Sequence, residues 1–170
     1  MARDSWRENI KLQVEGPQFG LGAVVSNDSW MTLKRSVQDM GSNLYSELHY
    51  DGRPYSADAP NPPRNMTAFL WVNRTVVRSD RVPVTGGCCF DLKEYRDTGS
   101  LWLMQWIWMH PSVRNQGMLT RAWPYFEQRF GRFVVQAPLS ETMTAFLKSK
   151  TRYSRWLRGW GIDPKTALRS

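Results

Sequence analysis

Apolar residues recur with regular spacing mainly in the second half of the chain, where they predict alternating strands and helices. Residues 68–72 and 82–90 are rich in apolar, β-branched and aromatic side chains, which favours strands. Residues 101–109 form the most apolar run, and its length and three tryptophans indicate a strand buried on both faces. Residues 133–136 predict one more short strand.

Two helices are predicted around this last strand. Residues 119–130 place four large apolar side chains on one helix face, and Gly131 suits the position just after the helix. Ser140 is a suitable N-cap for a second helix over residues 141–147. A strand–helix–strand order implies parallel pairing with a right-handed crossover, so the expected fold class is α/β or α+β with a mixed sheet.

The first third of the chain has a weaker pattern. Residues 10–14 alternate as in a strand, and Asp28 or Ser29 could cap a helix that ends near Gly41. A second short helix is predicted over residues 43–49. Residues 51–64 contain four prolines and predict a loop within one domain that spans residues 1–170.

Composition and charge narrow the class of protein. Hydrophobic residues make up 41% of the chain and charged residues 22%, which is typical of globular domains and excludes whole-chain disorder. The beginning of the chain lacks an apolar stretch of signal-peptide length, and residues 101–109 are too few to span a membrane. We therefore expect a cytoplasmic protein, either a monomer or a homodimer, that does not enter a membrane.

The formal net charge of +8 favours anionic partners, which include nucleic acids, CoA and acidic proteins. The neighbouring residues Cys88 and Cys89 are poorly placed to form a disulfide, and with no histidine nearby they do not predict a metal site. We expect both to be small buried side chains. No metal is predicted.

The segment with the clearest chemistry is HPSVRNQGML, residues 110–119, between the most apolar strand and the following helix. Pro111 ends the strand, Arg114 adds a positive charge, and Gly117 permits a sharp turn with close approach of a ligand. The backbone N–H groups of residues 115–120 would point out of the helix start, where the helix dipole favours anions. The segment lacks the Lys-Ser/Thr ending of a P-loop and the three glycines of a dinucleotide fingerprint, so another pyrophosphate is expected.

This segment resembles the acyl-CoA-binding motif of the GNAT superfamily of N-acetyltransferases, which reads Arg/Gln-x-x-Gly-x-Gly/Ala at the mouth of a helix. Arg114 and Gly117 match, whereas Leu119 stands where Gly or Ala is usual. The order of strands and helices over residues 67–150 agrees as well. The resemblance implies a mixed, mostly antiparallel central sheet with a splayed parallel strand pair, flanked by helices.

The resemblance also implies a cofactor, acetyl-CoA or another acyl-CoA, and an N-acyltransferase activity. The residues that would contact the cofactor are Met109, His110, Val113, Arg114, Asn115, Gln116, Gly117, Met118, Leu119 and Thr120. The place of His110 beside a turn favours a structural role over a role as a base.

Catalytic residues follow from the resemblance less directly. A backbone N–H near Trp108 or Met109 would polarise the thioester carbonyl. Gln105 could orient an amine or a water, or could simply be a satisfied polar residue. Ser140 stands where the family often has Asn, and it is more often a cap than a catalyst. The tyrosine that usually protonates the thiolate is replaced by Leu147, which leaves Tyr153 as a weaker candidate and the general base unassigned.

The acceptor is expected to be an amine on a small molecule, a protein or a nucleic acid. Loops of the first third build the acceptor site in the family, so His49, Tyr50 and Tyr55 are candidate substrate contacts. Residues 148–158 carry five basic residues and no acid, with Tyr153 and Trp156 between them. This composition suits phosphate contacts and base stacking, although a solvated helix face is the more common explanation. The alternative function is nucleic-acid modification or non-catalytic nucleic-acid binding through this segment.

Overall fold

A computed structural model describes residues 9–11, 22–50, 55–58, 66–73, 81–95 and 99–159. The predicted strands and helices of the second half of the chain are confirmed. The strands are β1 (Asn9–Lys11), β2 (Gly22–Val25), β3 (Met66–Val72), β4 (Arg81–Tyr95), β5 (Gly99–Met109) and β6 (Phe133–Val135). The helices are α1 (Met31–Leu48), α2 (Met118–Phe130), α3 (Glu141–Lys148) and α4 (Thr151–Gly159).

The strands form one mixed sheet in the order β2-β3-β4-β5-β6, and β1 pairs with the first three residues of β4. Neighbouring strands are antiparallel except for β5 and β6, which are parallel. Helix α2 makes the connection between these two strands. The expected mixed, mostly antiparallel sheet with one parallel pair is therefore confirmed.

The sheet separates two hydrophobic cores. One core lies between the sheet and α2, α3 and α4, and we call it the α2-side core. The other lies between the sheet and α1, and we call it the α1-side core. Cys88 belongs to the first and Cys89 to the second, and both are free and fully buried, as predicted.

Strand β5 contributes to both cores because its alternation changes phase at Gln105. Cys89 pairs with Trp106 and Phe90 pairs with Met104, so Gln105 is an extra residue without a partner on β4. Met104 faces the α2-side core, whereas Trp106 and Trp108 face the α1-side core. A β-bulge of this kind bends a strand and increases its twist.

Gly86 of β4 marks a close approach between backbones. A Cβ atom on Gly86 would lie 2.7 Å from the carbonyl oxygen of Trp108, so a side chain there would push β5 away. The register between β3 and β4 also shifts at this point. Trp71 pairs with Gly86 and Val72 pairs with Val84, which leaves Thr85 as an extra residue.

The prediction of two helices in the first third is wrong, because α1 runs without interruption through Gly41. Gly41 is buried, and the neighbouring Met40 lies against Gly87 of the sheet. The glycine therefore belongs to the packed face of the helix rather than to its end. Nor do Asp28 and Ser29 cap the helix, because its N-cap is Trp30 and no side chain bonds there. The predicted strand at residues 10–14 overlaps β1, and its remaining residues lie outside the described ranges, as does most of the proline-rich loop.

Tyr153 of α4 forms a hydrogen bond with the end of β6. Its side chain is buried, and its hydroxyl accepts a hydrogen bond of 2.8 Å from the backbone N–H of Val135. Burial raises the pKa of Tyr153 to about 12 from an ordinary value near 10. The folded state therefore holds this proton more tightly than the unfolded state does.

We expect Tyr153→Phe to lower the free energy of unfolding by about 1–3 kcal/mol at neutral pH, because the N–H of Val135 loses its partner. The contribution of the Tyr153 proton to stability is intact below pH 10 and is lost as the pH rises towards 12. Urea unfolding between pH 7 and pH 11.5 measures both effects, and the variant should lose stability less steeply above pH 10. Tyr45→Phe on α1 is the control, and an equal loss in both variants would contradict the assignment.

Candidate functional site

The pairing between β5 and β6 ends in the middle of β5. Their pairing covers only residues 102–104 of β5, and the last bond runs 2.9 Å from the N–H of Gln136 to the carbonyl of Met104. Within the described ranges, residues 105–109 have no strand partner on the β6 side. This opening begins at the Gln105 bulge and leads to the start of α2, and we call it the β5–β6 slot.

The backbone groups that face the slot follow from the ladder between β4 and β5. The N–H of His110 donates to the carbonyl of Thr85 at 2.9 Å, so His110 faces β4. Because backbone groups alternate along a strand, Trp108 also faces β4, whereas Ile107 and Met109 face the slot. The prediction of Trp108 as a backbone donor is therefore wrong. Met109 keeps its predicted place, and Ile107 joins it as a donor that the sequence analysis missed.

His110 organises the turn after β5. Its Nδ1 accepts a hydrogen bond of 3.3 Å from the N–H of Ser112 and lies 2.7 Å from the Ser112 hydroxyl. The residues that follow form a 3₁₀ turn, Pro111–Val113. This contact agrees with the structural interpretation of His110.

The turn then enters α2 with its backbone N–H groups exposed. Asn115 and Gly117 have φ values of 60° and 71°, which is a left-handed conformation that glycine adopts easily. Within the part of the chain that the structure describes, none of the N–H groups of residues 115–120 donates a hydrogen bond to another residue. We call residues 114–120 the anion loop, since an open helix start with free donors favours negative charge.

Arg121, which the sequence analysis missed, adds a positive charge to the anion loop. Its guanidinium donates a hydrogen bond of 2.9 Å to the carbonyl of Gln116 and lies near Gly117. A basic residue in the first turn of a helix opposes the helix dipole, and this mismatch is a sequence feature by which Arg121 could have been noticed.

Arg114 does not point freely into the anion loop, contrary to its expected role as a direct charge for a phosphate. Its Nε donates to the carbonyl of Met109 at 2.8 Å, and a terminal nitrogen lies 2.6 Å from Oε2 of Glu47 on α1. The hydrogen bond from Arg114 lowers the pKa of Glu47, against the opposing effect of partial burial, and the indole N–H of Trp108 contributes to the lowering. Arg114 therefore ties the anion loop to both β5 and α1.

The remaining predicted cofactor contacts take different positions around the loop. Gln116 is exposed and donates to the carbonyl of Ser112 at 3.0 Å, and Thr120 is exposed as well. Met118 and Leu119 are half-buried and pack against the α2-side core. Val113 lines a cavity of about 210 Å³ between the turn and the ends of β3 and β4. That cavity lies on the β4 side of β5 and is separate from the slot.

Gln105 lies at the inner end of the slot, where its side chain is half-buried. Its Nε2 donates a hydrogen bond of 3.0 Å to Oδ2 of Asp91, a buried carboxylate on β4 that also forms an ion pair with Lys93. Because the amide nitrogen is engaged by Asp91 on β4, the amide oxygen is the group of Gln105 that remains to accept a hydrogen bond.

The predicted catalytic residues of the last two helices have structural roles. Ser140 caps α3, since its hydroxyl accepts a hydrogen bond of 3.2 Å from the N–H of Met143. Leu147, which replaces the usual tyrosine, is buried in the α2-side core. Tyr153 is buried there too with its hydroxyl on Val135, so it is a poor candidate for proton donation to a thiolate.

The predicted acceptor contacts divide into an exposed pair and a buried residue. His49 and Tyr50 are exposed at the end of α1, and the Tyr50 ring meets Tyr45 edge to face at 5.6 Å. Tyr55 is only 7% exposed within the α1-side core, where burial raises the pKa of its hydroxyl. The prediction of Tyr55 as an acceptor contact is therefore wrong, whereas His49 and Tyr50 stay candidates.

The basic segment at residues 148–158 is less suited to nucleic acid than its composition indicates. Tyr153 is buried and therefore cannot stack on a base. Arg152 lies 3.5 Å from the carboxylate of Glu127, and Lys150 lies over the ring of Phe146. Lys148 and Arg155 are exposed, whereas the side chains of Trp156 and Arg158 lie outside the described part.

The described residues include no group of three or more His, Cys, Asp or Glu side chains placed to hold a metal ion. None of the described helices has the length and apolar character required to cross a membrane.

Solved acetyltransferase structures share this architecture. The acetyltransferase domain of xEco2, bound to a CoA conjugate, aligns with a TM-score of 0.53 at 11% identity, over 83% of this chain and 90% of that one. An aminoglycoside acetyltransferase from an uncultured soil metagenomic sample, in complex with sisomicin, aligns with a TM-score of 0.50 at 10% identity, over 76% and 86%. No protein-family model and no curated protein sequence matches this chain. The strand order and these alignments show that the chain has the fold of the GNAT acetyltransferases.

Proposed function

We propose that this protein is an acyl-CoA-dependent N-acyltransferase that uses acetyl-CoA and an amine acceptor. The observation that carries the proposal is the junction of the β5–β6 slot with the anion loop. The slot exposes the backbone edge of β5, and the loop follows directly with unsatisfied N–H groups. An extended chain that ends in a pyrophosphate fits this sequence of features.

Bound acetyl-CoA would supply an activated thioester. Attack by the amine nitrogen on the carbonyl carbon forms the new C–N bond while the C–S bond breaks. The nitrogen gives up a proton and the leaving thiolate takes one up. The N–H groups of Ile107 and Met109 face the slot and would stabilise the developing negative charge on the carbonyl oxygen.

Proton transfer has no assigned side chain in this proposal. Leu147 lacks an exchangeable proton, and Tyr153 holds its proton tightly because burial raises its pKa to about 12. We therefore propose that solvent protonates the thiolate. Gln105 would orient the amine or a water through its amide oxygen, with its amide nitrogen held by Asp91.

Calorimetric titration of acetyl-CoA into the pure protein tests the cofactor assignment. We expect micromolar binding for the natural sequence and at least about tenfold weaker binding for Gly117→Trp, because a large side chain covers the N–H groups of the anion loop. A well-folded protein that releases no heat at high acetyl-CoA concentration would contradict the proposal.

Gly131→Trp is the matched control for this experiment. Gly117 and Gly131 lie at opposite ends of α2, both have positive φ, and neither has close neighbours that a new side chain would strike. Gly131 has a ψ of −119° against 15° for Gly117, so Gly131→Trp carries the larger backbone strain and is a stringent control for helix stability. Only Gly117→Trp should weaken acetyl-CoA binding, and equal weakening by both would assign the effect to helix stability.

Nucleic-acid binding through the basic segment stays the alternative prediction. Phosphate contacts by Lys148 and Arg155 would give binding that weakens steeply with salt and does not require CoA. The cytoplasmic location and the choice between monomer and homodimer also stay predictions.

A further inference from the structure

The last turn of α1 holds a carboxylate in one fixed orientation above β5. Oε2 of Glu47 accepts two hydrogen bonds, one of 2.8 Å from the indole N–H of Trp108 and one of 2.6 Å from Arg114. Among the described residues, none donates to the other oxygen, Oε1. The side chain of Glu47 is 41% exposed, so this oxygen is accessible to a ligand.

The electrostatic surroundings of Glu47 favour a cation. A helix C-terminus carries the negative end of the dipole, and the last turn of α1 has no basic residue to offset it. Arg114 balances the charge of Glu47 from the side of Oε2 only. The helix end and Oε1 therefore form a local negative site on a chain whose net charge is +8.

The carboxylate of Glu47 is also connected to the proposed reaction centre. Trp108 places its side chain towards Glu47, and the next residue, Met109, turns its N–H into the slot. Arg114 donates to the carbonyl of Met109 through Nε and to Glu47 through a terminal nitrogen, so a single guanidinium group separates the carboxylate from Met109.

We propose that Glu47 selects acceptors that carry a second ammonium group in addition to the amine that reacts. The reacting nitrogen must lose its positive charge before it attacks. At that moment it therefore cannot form an ion pair with a carboxylate. A second ammonium on the same molecule can remain charged on Oε1 of Glu47. Glu47 is then a specificity-determining residue for a diamine or polyamine acceptor, an inference that rests on the proposed transferase function.

Steady-state acetylation of 1,4-diaminobutane and of n-butylamine tests this assignment, since the two probes differ by one ammonium group. We expect the natural protein to have a KM at least about tenfold lower for the diamine. Glu47→Gln keeps an oxygen for Trp108 and Arg114 but removes the charge. It should raise the KM for the diamine about tenfold, with kcat within about twofold, and leave n-butylamine unaffected.

Glu94→Gln makes the same charge change at an exposed position on β4 and should leave both KM values unaltered. Acetyl-CoA binding by calorimetry separates this inference from the proposed function, because Glu47→Gln should bind the cofactor normally. Equal KM values for the two amines in the natural protein, equal losses for both in Glu47→Gln, or cofactor binding without acetylation of the diamine would each overturn the role of Glu47. If the natural protein does not bind acetyl-CoA, that result would instead contradict the proposed transferase function.

Discussion

Replacing Phe90 with alanine is expected to lower the free energy of unfolding by about 3–5 kcal/mol. Phe90 of β4 has no exposed surface and stacks on Phe130 of α2 with ring centres 4.1 Å apart. Three more rings lie within 6 Å of it, those of Phe69, Phe126 and Phe133. A cavity at this position would separate the sheet from α2, whose first turn belongs to the anion loop.

Urea unfolding monitored by circular dichroism measures this loss. Phe146→Ala is the control, because the Phe146 ring is only half-buried on α3 and contacts Trp123 from one side. We expect it to cost clearly less than Phe90→Ala, since a partly exposed site loses less buried surface. A larger loss for Phe146→Ala would show that the stacked cluster is not the centre of the α2-side core.

Replacing Gly86 with alanine is expected to lower the free energy of unfolding by about 2–3 kcal/mol and to weaken acetyl-CoA binding as well. The new methyl group would lie 2.7 Å from the carbonyl oxygen of Trp108, and a backbone atom in a paired strand has little freedom to move. Relief requires β5 to shift at Trp108 and Met109. The slot is formed by the same stretch of β5.

Gly87→Ala is the matched control, because the neighbouring glycine faces a side chain instead. Its Cβ would lie 3.1 Å from the Cβ of Met40, and a shift of α1 by a few tenths of an ångström relieves this contact without moving a paired strand. We expect a loss below about 1 kcal/mol, partly offset because alanine restricts the unfolded chain. Chemical unfolding of both variants measures the loss of stability, and acetyl-CoA titration measures the loss of binding. Equal effects would show that the approach of β4 to β5 does not depend on Gly86.

The strands and helices of the second half could be predicted because each satisfies a local rule. The residues of α2 repeat at helical spacing up to Gly131, and Ser140 caps α3 as its sequence position indicates. The parallel pair followed from the order of these elements. Local periodicity and capping were sufficient there because the tertiary contacts reinforce them.

Helix α1 was mispredicted because a glycine has two possible meanings in a helical pattern. Gly41 has the properties of a helix end, but the residue before it, Met40, packs against Gly87 of β4. Only the packing of the helix against the sheet shows that Gly41 lies on the buried face of α1 and not at its end. That packing joins residues more than forty positions apart, which no local pattern reveals.

The same limit applies to the candidate site. The anion loop was predictable because Pro111, Arg114 and Gly117 lie within a few residues of one another. The partner of Arg114 was not, since Glu47 lies 67 residues earlier in the chain. Tyr153 was mispredicted for a related reason, because its aromatic character does not show that its hydroxyl is committed to Val135.

Because of the bulge at Gln105, the site depends on the number of residues in β5 as strictly as on their apolar character. Loss of one residue between Met104 and Met109 would rotate the rest of the strand by half a turn, so that Trp106 and Trp108 would exchange cores with their neighbours. The donors that face the slot would then face β4. Related sequences that keep this site should therefore tolerate substitutions along the segment more readily than insertions or deletions, even where every replacement is apolar.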